Sequence, residues 1–344
     1  VKEQIGFICV GQAGGNIGQI FEKHEYTCLF INSSQEDLDT LDVKFKYHFD
    51  GATGCNKDRS KGIELVKKNL DEVLKEFESK LLDKRLIFLI FSTSGGTGGG
   101  SGPILLDSLI NKYKDKTFGC ICILPSLEEP LKAQINAIEC YNQLTNIRKL
   151  GAVFTLDNNK VDKYMINSEI VRLFNAFLDV PNHKSTKGNI DKAELWQLLT
   201  TRGNIVISTS YPKTENATIL IINSIETSIF APIEKDRNVL LIGLSLTNDI
   251  NEQDFIKYIG LPLDTYYGYN RDQNVIILSG LSFPITRLNQ IYKIVNNNKE
   301  HIKNNLINSK TAKTDFCLDW LSELKENNKT DDFSDLEDVF SKYE

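Results

Sequence analysis

The sequence predicts an α/β fold, with a parallel sheet covered by helices and then a smaller α/β lobe. Short, almost wholly apolar runs recur at residues 5–10, 85–91 and 118–124, as expected of strands buried on both faces. Helical periodicity separates them, clearest at residues 57–82, where Ile63, Val66, Leu70, Val73, Leu74 and Phe77 share one face. Glycine-bearing turns follow several strands. In such sheets ligands bind beyond the carboxyl ends of the strands.

Strand 5–10 leads through a glycine turn into a helix from about Gly15, and residues 26–32 read as a second strand. After the helix at 57–82 and strand 85–91, a second glycine-rich turn opens a helix at 102–113, with Pro103 in the tolerated first turn. Strand 118–124, helix 131–150 and strand 152–156 complete the series, and an apolar helix follows over 166–178. The second half carries strands at 204–210, 239–246 and 274–281, a helix at 217–230 and a short one near Asp254. Pro284 suits the first turn of a last helix that fades into Asn296-Asn297-Asn298-Lys299.

The chain has 344 residues, 41% of them apolar, enough for a substantial core and suggestive of two lobes. Its formal net charge of −6 argues against a broad nucleic-acid-binding face. An anionic ligand would therefore have to be held by backbone N–H groups and helix N-termini. No apolar run is long enough to span a bilayer, no secretory cleavage pattern follows Val1, and the expected compartment is the cytoplasm. The seven cysteines show neither disulfide-scaffold nor zinc spacing, and Cys120 and Cys122 read as same-face residues of a buried strand.

Three glycine turns carry the chemistry: Gly11-Gln12-Ala13-Gly14-Gly15-Asn16, Gly51-Ala52-Thr53-Gly54-Cys55-Asn56, and Gly95-Gly96-Thr97-Gly98-Gly99-Gly100-Ser101-Gly102. Without Cβ atoms, such turns let consecutive N–H groups converge on phosphate oxygens. The second alone reads equally well as a flexible loop. The third has six glycines between an apolar strand and an apolar helix, which no linker has. Ala13 breaks the G-x-G-x-x-G dinucleotide fingerprint, and no G-x-x-x-x-G-K-[ST] exists.

These turns resemble those of the tubulin/FtsZ superfamily. Gly98-Gly99-Gly100-Ser101-Gly102 is similar to its GGGTG core with serine for threonine, and Gly11 to Asn16 is similar to its first phosphate loop. Among members, the plasmid- and phage-borne tubulins of the TubZ/PhuZ type are the nearest match, by Gln12, the eight-residue glycine turn and an extended C-terminal helix. The resemblance implies a GTP-binding domain (1–165), a central helix and following loop (166–188), a second, activation domain (189–283), a C-terminal helical region (284–326) and an acidic tail (327–344). It implies GTP/GDP and Mg²⁺ as ligands. Phosphate-side contacts would come from Gly11, Gln12, Ala13, Gly14, Asn32, Gly54 and the run Gly95, Gly96, Thr97, Gly98, Gly99, Gly100, Ser101 and Gly102. Asn16 and Asn158 would meet guanine, with Asn167 or a neighbour on the central helix; Glu129, less firmly Glu128, would meet the ribose. Gln12 would support the metal indirectly, while Ser34 stands where the division protein FtsZ has an aspartate.

Gly188-Asn189-Ile190-Asp191-Lys192-Ala193-Glu194 reads by itself as a capping box opening a helix. The resemblance places it at the family's N-x-D-x-x-[ED] loop, and implies that Asp191 and Glu194 orient the attacking water in the pocket of the next subunit. The implied activity is an assembly-stimulated GTPase forming filaments that segregate or position plasmid or phage DNA. In the tail, Phe333, Leu336, Val339, Phe340 and Tyr343 fall on one helical face amid acidic residues. They suit a groove on a neighbouring subunit or a basic DNA-binding adaptor, without direct DNA or membrane contact. An FtsZ-like division GTPase, a non-hydrolysing homologue and a dinucleotide oxidoreductase are the competing readings.

Overall fold

The computed structural model describes residues 1–211, 216–234, 239–270 and 272–308. Its strands are β1 (Ile5–Val10), β2 (Thr27–Asn32), β3 (Lys46–His48), β4 (Leu86–Ser92), β5 (Thr117–Leu124), β6 (Ala152–Asp157), β7 (Gly203–Ser210), β8 (Leu241–Leu246), β9 (Asp264–Tyr269) and β10 (Asn274–Leu281). The helices are α1 (Gly11–Lys23), α2 (Gln35–Asp39), α3 (Arg59–Lys68), α4 (Leu70–Leu81), α5 (Gly96–Lys112), α6 (Leu131–Asn146), α7 (Lys163–Asp179), α8 (Lys192–Thr200), α9 (Ala217–Glu226), α10 (Glu252–Ile259) and α11 (Ile285–Asn308).

Among the described residues the strands form a ten-stranded sheet in the order β3-β2-β1-β4-β5-β6-β7-β10-β8-β9. From β3 to β7 all neighbours are parallel. β10 runs antiparallel between β7 and β8, and β9 lies parallel to β8. Only two residue pairs, Ala152↔Gly203 and Val153↔Asn204, join β6 to β7. The chain leaves β1 towards β2 on one side and pairs with β4 on the other, a topological switch point that opens a crevice at the strands' carboxyl ends.

α7 packs on the parallel half through aromatic rings. Phe174 meets Phe7, Phe21, Phe88 and Phe154 edge-on at centroid distances of 5.7, 5.5, 5.9 and 5.9 Å. Such contacts contribute about 0.5–1.5 kcal/mol each beyond buried area. Cys120 and Cys122 are fully buried in β5, as the apolar run implied, and burial pushes the Cys120 thiol up.

The structure corrects several element boundaries. The helix expected over 57–82 breaks at Asn69, whose side chain accepts from the Asp50 N–H (2.8 Å) and Tyr47 hydroxyl (2.9 Å) while donating to the Leu65 carbonyl (2.9 Å). α2, β3 and β9 were not foreseen, being too short or too irregular in pattern to declare a period. α11 does not fade at Asn296 but continues to Asn308, since asparagine costs a helix only a few tenths of a kcal/mol per residue. Val1–Ile294 form one compact unit. The tail residues Phe333 to Tyr343 lie outside the described residues.

The largest correction concerns the glycines. α1 and α5 begin at Gly11 and Gly96, not at 15 and 102, so both glycine turns are themselves helical. Backbone contact explains this: a Cβ on Gly14 would stand 2.3 Å from the Ile90 carbonyl oxygen, and one on Gly100 2.4 Å from that of Arg59. Pro103 consequently lies inside α5 rather than in its first turn. It has no N–H for the Gly99 carbonyl four residues earlier. The buried Arg59 supplies the missing donor, Nε to Gly99 oxygen at 3.1 Å.

Arg59→Met should therefore cost about 1–3 kcal/mol in urea denaturation, the penalty of an orphaned buried carbonyl. Adding Pro103→Ala, which restores an N–H to that carbonyl, should return part of the loss; strictly additive costs would refute the exchange.

Candidate nucleotide site

The N-termini of α1 and α5 meet at the switch point. Gly11, at φ +72°, has its Cβ direction 3.3 Å from the Gly98 nitrogen, so a side chain there would meet both an unfavourable backbone conformation and a tight contact between the two helices. Unpaired N–H groups and positive dipole ends thus converge where an anion would sit. A cleft of about 770 Å³ opens above them. Of the expected residues, Gly11, Gln12, Ala13, Asn32, Gly54, Gly95, Gly96, Thr97, Gly98, Glu129 and Asn158 line it.

Gly14, Gly99, Gly100, Ser101 and Gly102, also expected at the phosphates, do not line the cleft. Gly14 packs on β4, Gly100 on α3 and Gly102 on the Phe91 ring, while the Ser101 hydroxyl donates to the Gly62 carbonyl (3.0 Å). The segment at the cleft, Gly95-Gly96-Thr97-Gly98, itself reads G-G-T-G. Thr97, rather than Ser101, therefore stands in the threonine position of the motif.

The second and third loops are tied to this segment. The Ser33 and Thr97 hydroxyls share a 2.6 Å hydrogen bond, and the Gly54 N–H donates to the Ser33 carbonyl (2.8 Å). Asn136 Nδ2, from α6, donates to the carbonyls of Lys57 (2.9 Å) and Ser94 (3.0 Å). That clamp holds Asn56 and Lys57 in left-handed conformations, φ +45° and +57°, which cost a residue with a Cβ about 1–2 kcal/mol each.

Charged residues missed by sequence reasoning also line the cleft: Lys57, Lys163, Asp162 and Asp37. Ser34 lines the cleft while serving as the N-cap of α2, accepting from the Asp37 N–H (3.1 Å), and Asp37, one turn later, lines the cleft beside it. Only the fold could reveal these groups, since no spacing motif links them. Among the described residues no cluster of His, Cys, Asp and Glu side chains forms a ready-made metal site. A cation arriving with a phosphate ligand would find oxygen donors in the Gln12 amide and the Asp37 carboxylate, both on the cleft wall.

At the other end of the cleft, Ser126, Glu129 and Pro130 follow β5, and Asn158 follows β6. Glu129, not Glu128, lines the wall, and its carboxylate accepts from the Ser126 N–H (3.2 Å). Asn16 is exposed on α1 one turn beyond Gln12, and Asn167 is half-buried on α7 one turn beyond Lys163. Neither lines the cleft itself.

Asp191 and Glu194 lie elsewhere. Asp191 caps α8, accepting from the Ala193 (2.7 Å) and Glu194 (2.9 Å) N–H groups, and Glu194 accepts in return from the Asp191 N–H (2.9 Å). α7 starts beside the cleft and runs 17 residues, about 25 Å, away from it before the chain reaches α8. Lys192 shares a depression of about 270 Å³ with Val1, Lys2 and Tyr26, the residues preceding β1 and β2. The acids therefore sit at the amino ends of the strands and the cleft at the carboxyl ends, with the six residues of β1, about 20 Å, between them.

The family model described as "Tubulin/FtsZ family, GTPase domain" matches residues 4–165. The tubulin-like protein TubZ of Clostridium botulinum C phage is 31% identical over 303 residues, covering 86% of this chain and 84% of that protein. The crystal structure of C. botulinum phage c-st TubZ superposes with a TM-score of 0.80 at 27% identity, covering 88% of this chain and all of that one. A GTPγS-form protofilament of TubZ from Bacillus thuringiensis serovar israelensis shares the fold, with a TM-score of 0.76 at 18% identity over 88% of this chain and 94% of that one. On the phosphate-loop geometry and these relationships together, the chain belongs to the tubulin/FtsZ family.

Proposed function

We propose that this protein binds GTP in the cleft, polymerises head to tail, and hydrolyses GTP at subunit junctions with Asp191 and Glu194 supplied by the next subunit. The observation that carries the reading is the placement of cleft and acids at opposite ends of one sheet. A single molecule cannot bring them together, whereas translation along the strands stacks the acids of one copy over the cleft of another. Such a heterologous contact propagates into an open polymer. Exposed apolar side chains support it: Tyr164 and Met165, directly after the cleft-lining Lys163, are 71% and 63% exposed, and Leu261 and Leu263, just before β9, are 83% and 81% exposed. The protofilament formed by the B. thuringiensis protein supports it too.

In this reading Gly95 to Gly98 and Gly11 to Ala13 hold the phosphates through N–H groups, joined by Asn32, Gly54 and the Lys57 ammonium. Glu129 meets the ribose, and Asn158, Asn16 and Asn167 meet guanine. Magnesium bound with the triphosphate would lie by Gln12 and Asp37, neutralising phosphate charge. Phosphoryl transfer to water needs chiefly alignment and charge compensation, which two carboxylates beside a dipole-lined cradle provide. Cargo is plasmid or phage DNA, reached through a DNA-binding adaptor held by the acidic tail; the phage source of the relative supports this.

Asp191→Asn keeps an N-cap acceptor, so it should leave stability nearly intact where Asp191→Ala loses about 1 kcal/mol. Filaments of Asp191→Asn or Glu194→Gln should form with GTP and release phosphate at least about 10²-fold more slowly. Normal turnover in either would remove that residue from the chemistry. Specific activity of the unaltered protein should rise with its concentration; a flat profile would mean a self-contained site. Truncation after Asn327 should preserve phosphate release and impair polymer behaviour or adaptor capture, and a tail-less protein unchanged in both assays ends that part of the reading.

A further inference from the structure

We propose that Arg287 is a positioning residue for nucleoside recognition: it locks the two loops forming the nucleoside end of the cleft into the geometry that selects the base, without touching the ligand. This rests on the nucleotide reading above and extends it to a residue 130 positions from its partner in sequence.

Arg287 sits in the first turn of α11 and is 1% exposed. Its Nε donates to Asp157 Oδ2 at 2.8 Å, and Nη2 donates both to Asp157 Oδ1 at 3.0 Å and to the Pro125 carbonyl at 2.7 Å. Asp157 ends β6 immediately before Asn158, and Pro125 follows β5 immediately before Ser126; Asn158 and Ser126 both line the cleft. One planar guanidinium thus holds the roots of both loops in fixed relation, as a flexible ammonium cannot. Further ties make the unit stiff. Asp157 Oδ1 also accepts from the Asn159 N–H (3.0 Å), and Asn159 Oδ1 accepts from the Leu127 N–H (3.2 Å). Gln134 Nε2 holds the Ser126 (2.7 Å) and Glu129 (3.2 Å) carbonyls. Arg287 is absent from the cleft wall, so it acts only through the groups it grips.

Stability alone is a poor account of this ion pair. Both partners are at least 98% buried, and Arg287 Nη1 is buried with no partner among the described residues. Well-packed apolar residues would fill such a place as favourably or more so. What the ionic fork provides, and they would not, is one fixed orientation of two loops.

The experiment uses the full chain below its assembly concentration. Arg287→Lys keeps a charge opposite Asp157 but cannot span carboxylate and carbonyl together; the pair Asp157→Leu/Arg287→Met removes both charges and serves if the lysine variant does not fold. Binding of GTP, GDP and ATP is measured with thermal melts, and steady-state hydrolysis is followed above the assembly concentration. In the folded variant GTP and GDP affinity should fall together by about tenfold, one charge-assisted hydrogen bond's worth. Preference for guanine over adenine should shrink, with the loss in KM and kcat at saturating GTP unchanged. A folded variant with a lower melting temperature but unaltered affinity and base preference reduces Arg287 to a structural role and overturns the proposal. Loss confined to GTP would place the defect at the phosphates and also overturn it. An unaltered protein without preference for guanine would instead reject the nucleotide reading, and this inference with it.

Discussion

Everything at the cleft depends on backbone touching backbone. α5 lies against α1, β4 and α3 at distances that exclude a methyl group: Gly98 faces the Val10 carbonyl at 3.1 Å, and Gly62 of α3 faces the Gly96 carbonyl at 2.3 Å, measured from the Cβ each would carry. Glycine costs a helix about 1 kcal/mol per residue relative to alanine, so a glycine-rich first turn is a poor helix in isolation. It is helical here because packing fixes it, and because the same closeness aims the free N–H groups of two helices at one point. The Arg59 contact to Gly99 follows from this arrangement, since a proline two turns into α5 frees a carbonyl that nothing in the helix can satisfy.

The electrostatic consequence is local. In a chain with a formal net charge of −6, the cleft combines two helix N-termini with Lys57 and Lys163, while Asp37, Glu129 and Asp162 on the same wall offset the lysine charge and leave the backbone dipoles as the fixed positive element. The loop carrying Lys57 is not free to retract, because the buried Asn136 holds its carbonyl and that of Ser94 together. Two consecutive left-handed residues with side chains are strain that the surrounding contacts must outweigh, and such strain concentrates where a group must be held in place.

The parallel half was legible because its strands are buried on both faces and read as unbroken apolar runs ended by glycine. The cleft residues Gly11, Gln12, Thr97 and Asn158 were legible for a related reason: each directly follows such a strand or sits in the turn after it. What the sequence hid is what only tertiary contact creates. Glycine's low helix propensity made Gly96 to Gly102 read as a turn, and the partners that make it helical, Arg59, Gly62 and Phe91, lie elsewhere in the chain. Asp37, Lys57 and Lys163 belong to no common spacing and converge only when the folded sheet gathers the segments after β2, β3 and β6 around one cleft. Asn69 looked like one polar residue in a long amphipathic stretch, and its role as a break appears only with Tyr47 and Asp50 beside it.

Sheet geometry also constrains how function can be divided between molecules. In a parallel α/β sheet the loops at the strands' carboxyl ends can gather around one ligand, but a loop at the amino ends lies a strand's length away. α7 makes that distance rigid: its aromatic face is anchored to β1, β4 and β6 through Phe174, so no hinge within it can swing α8 back over the cleft. Asp191 and Glu194, joined in a reciprocal capping box at the start of α8, thus stay at an outer surface. In the proposed function, hydrolysis that needs those carboxylates would be tied to contact between copies by the fold itself, with no separate allosteric switch required to couple the two.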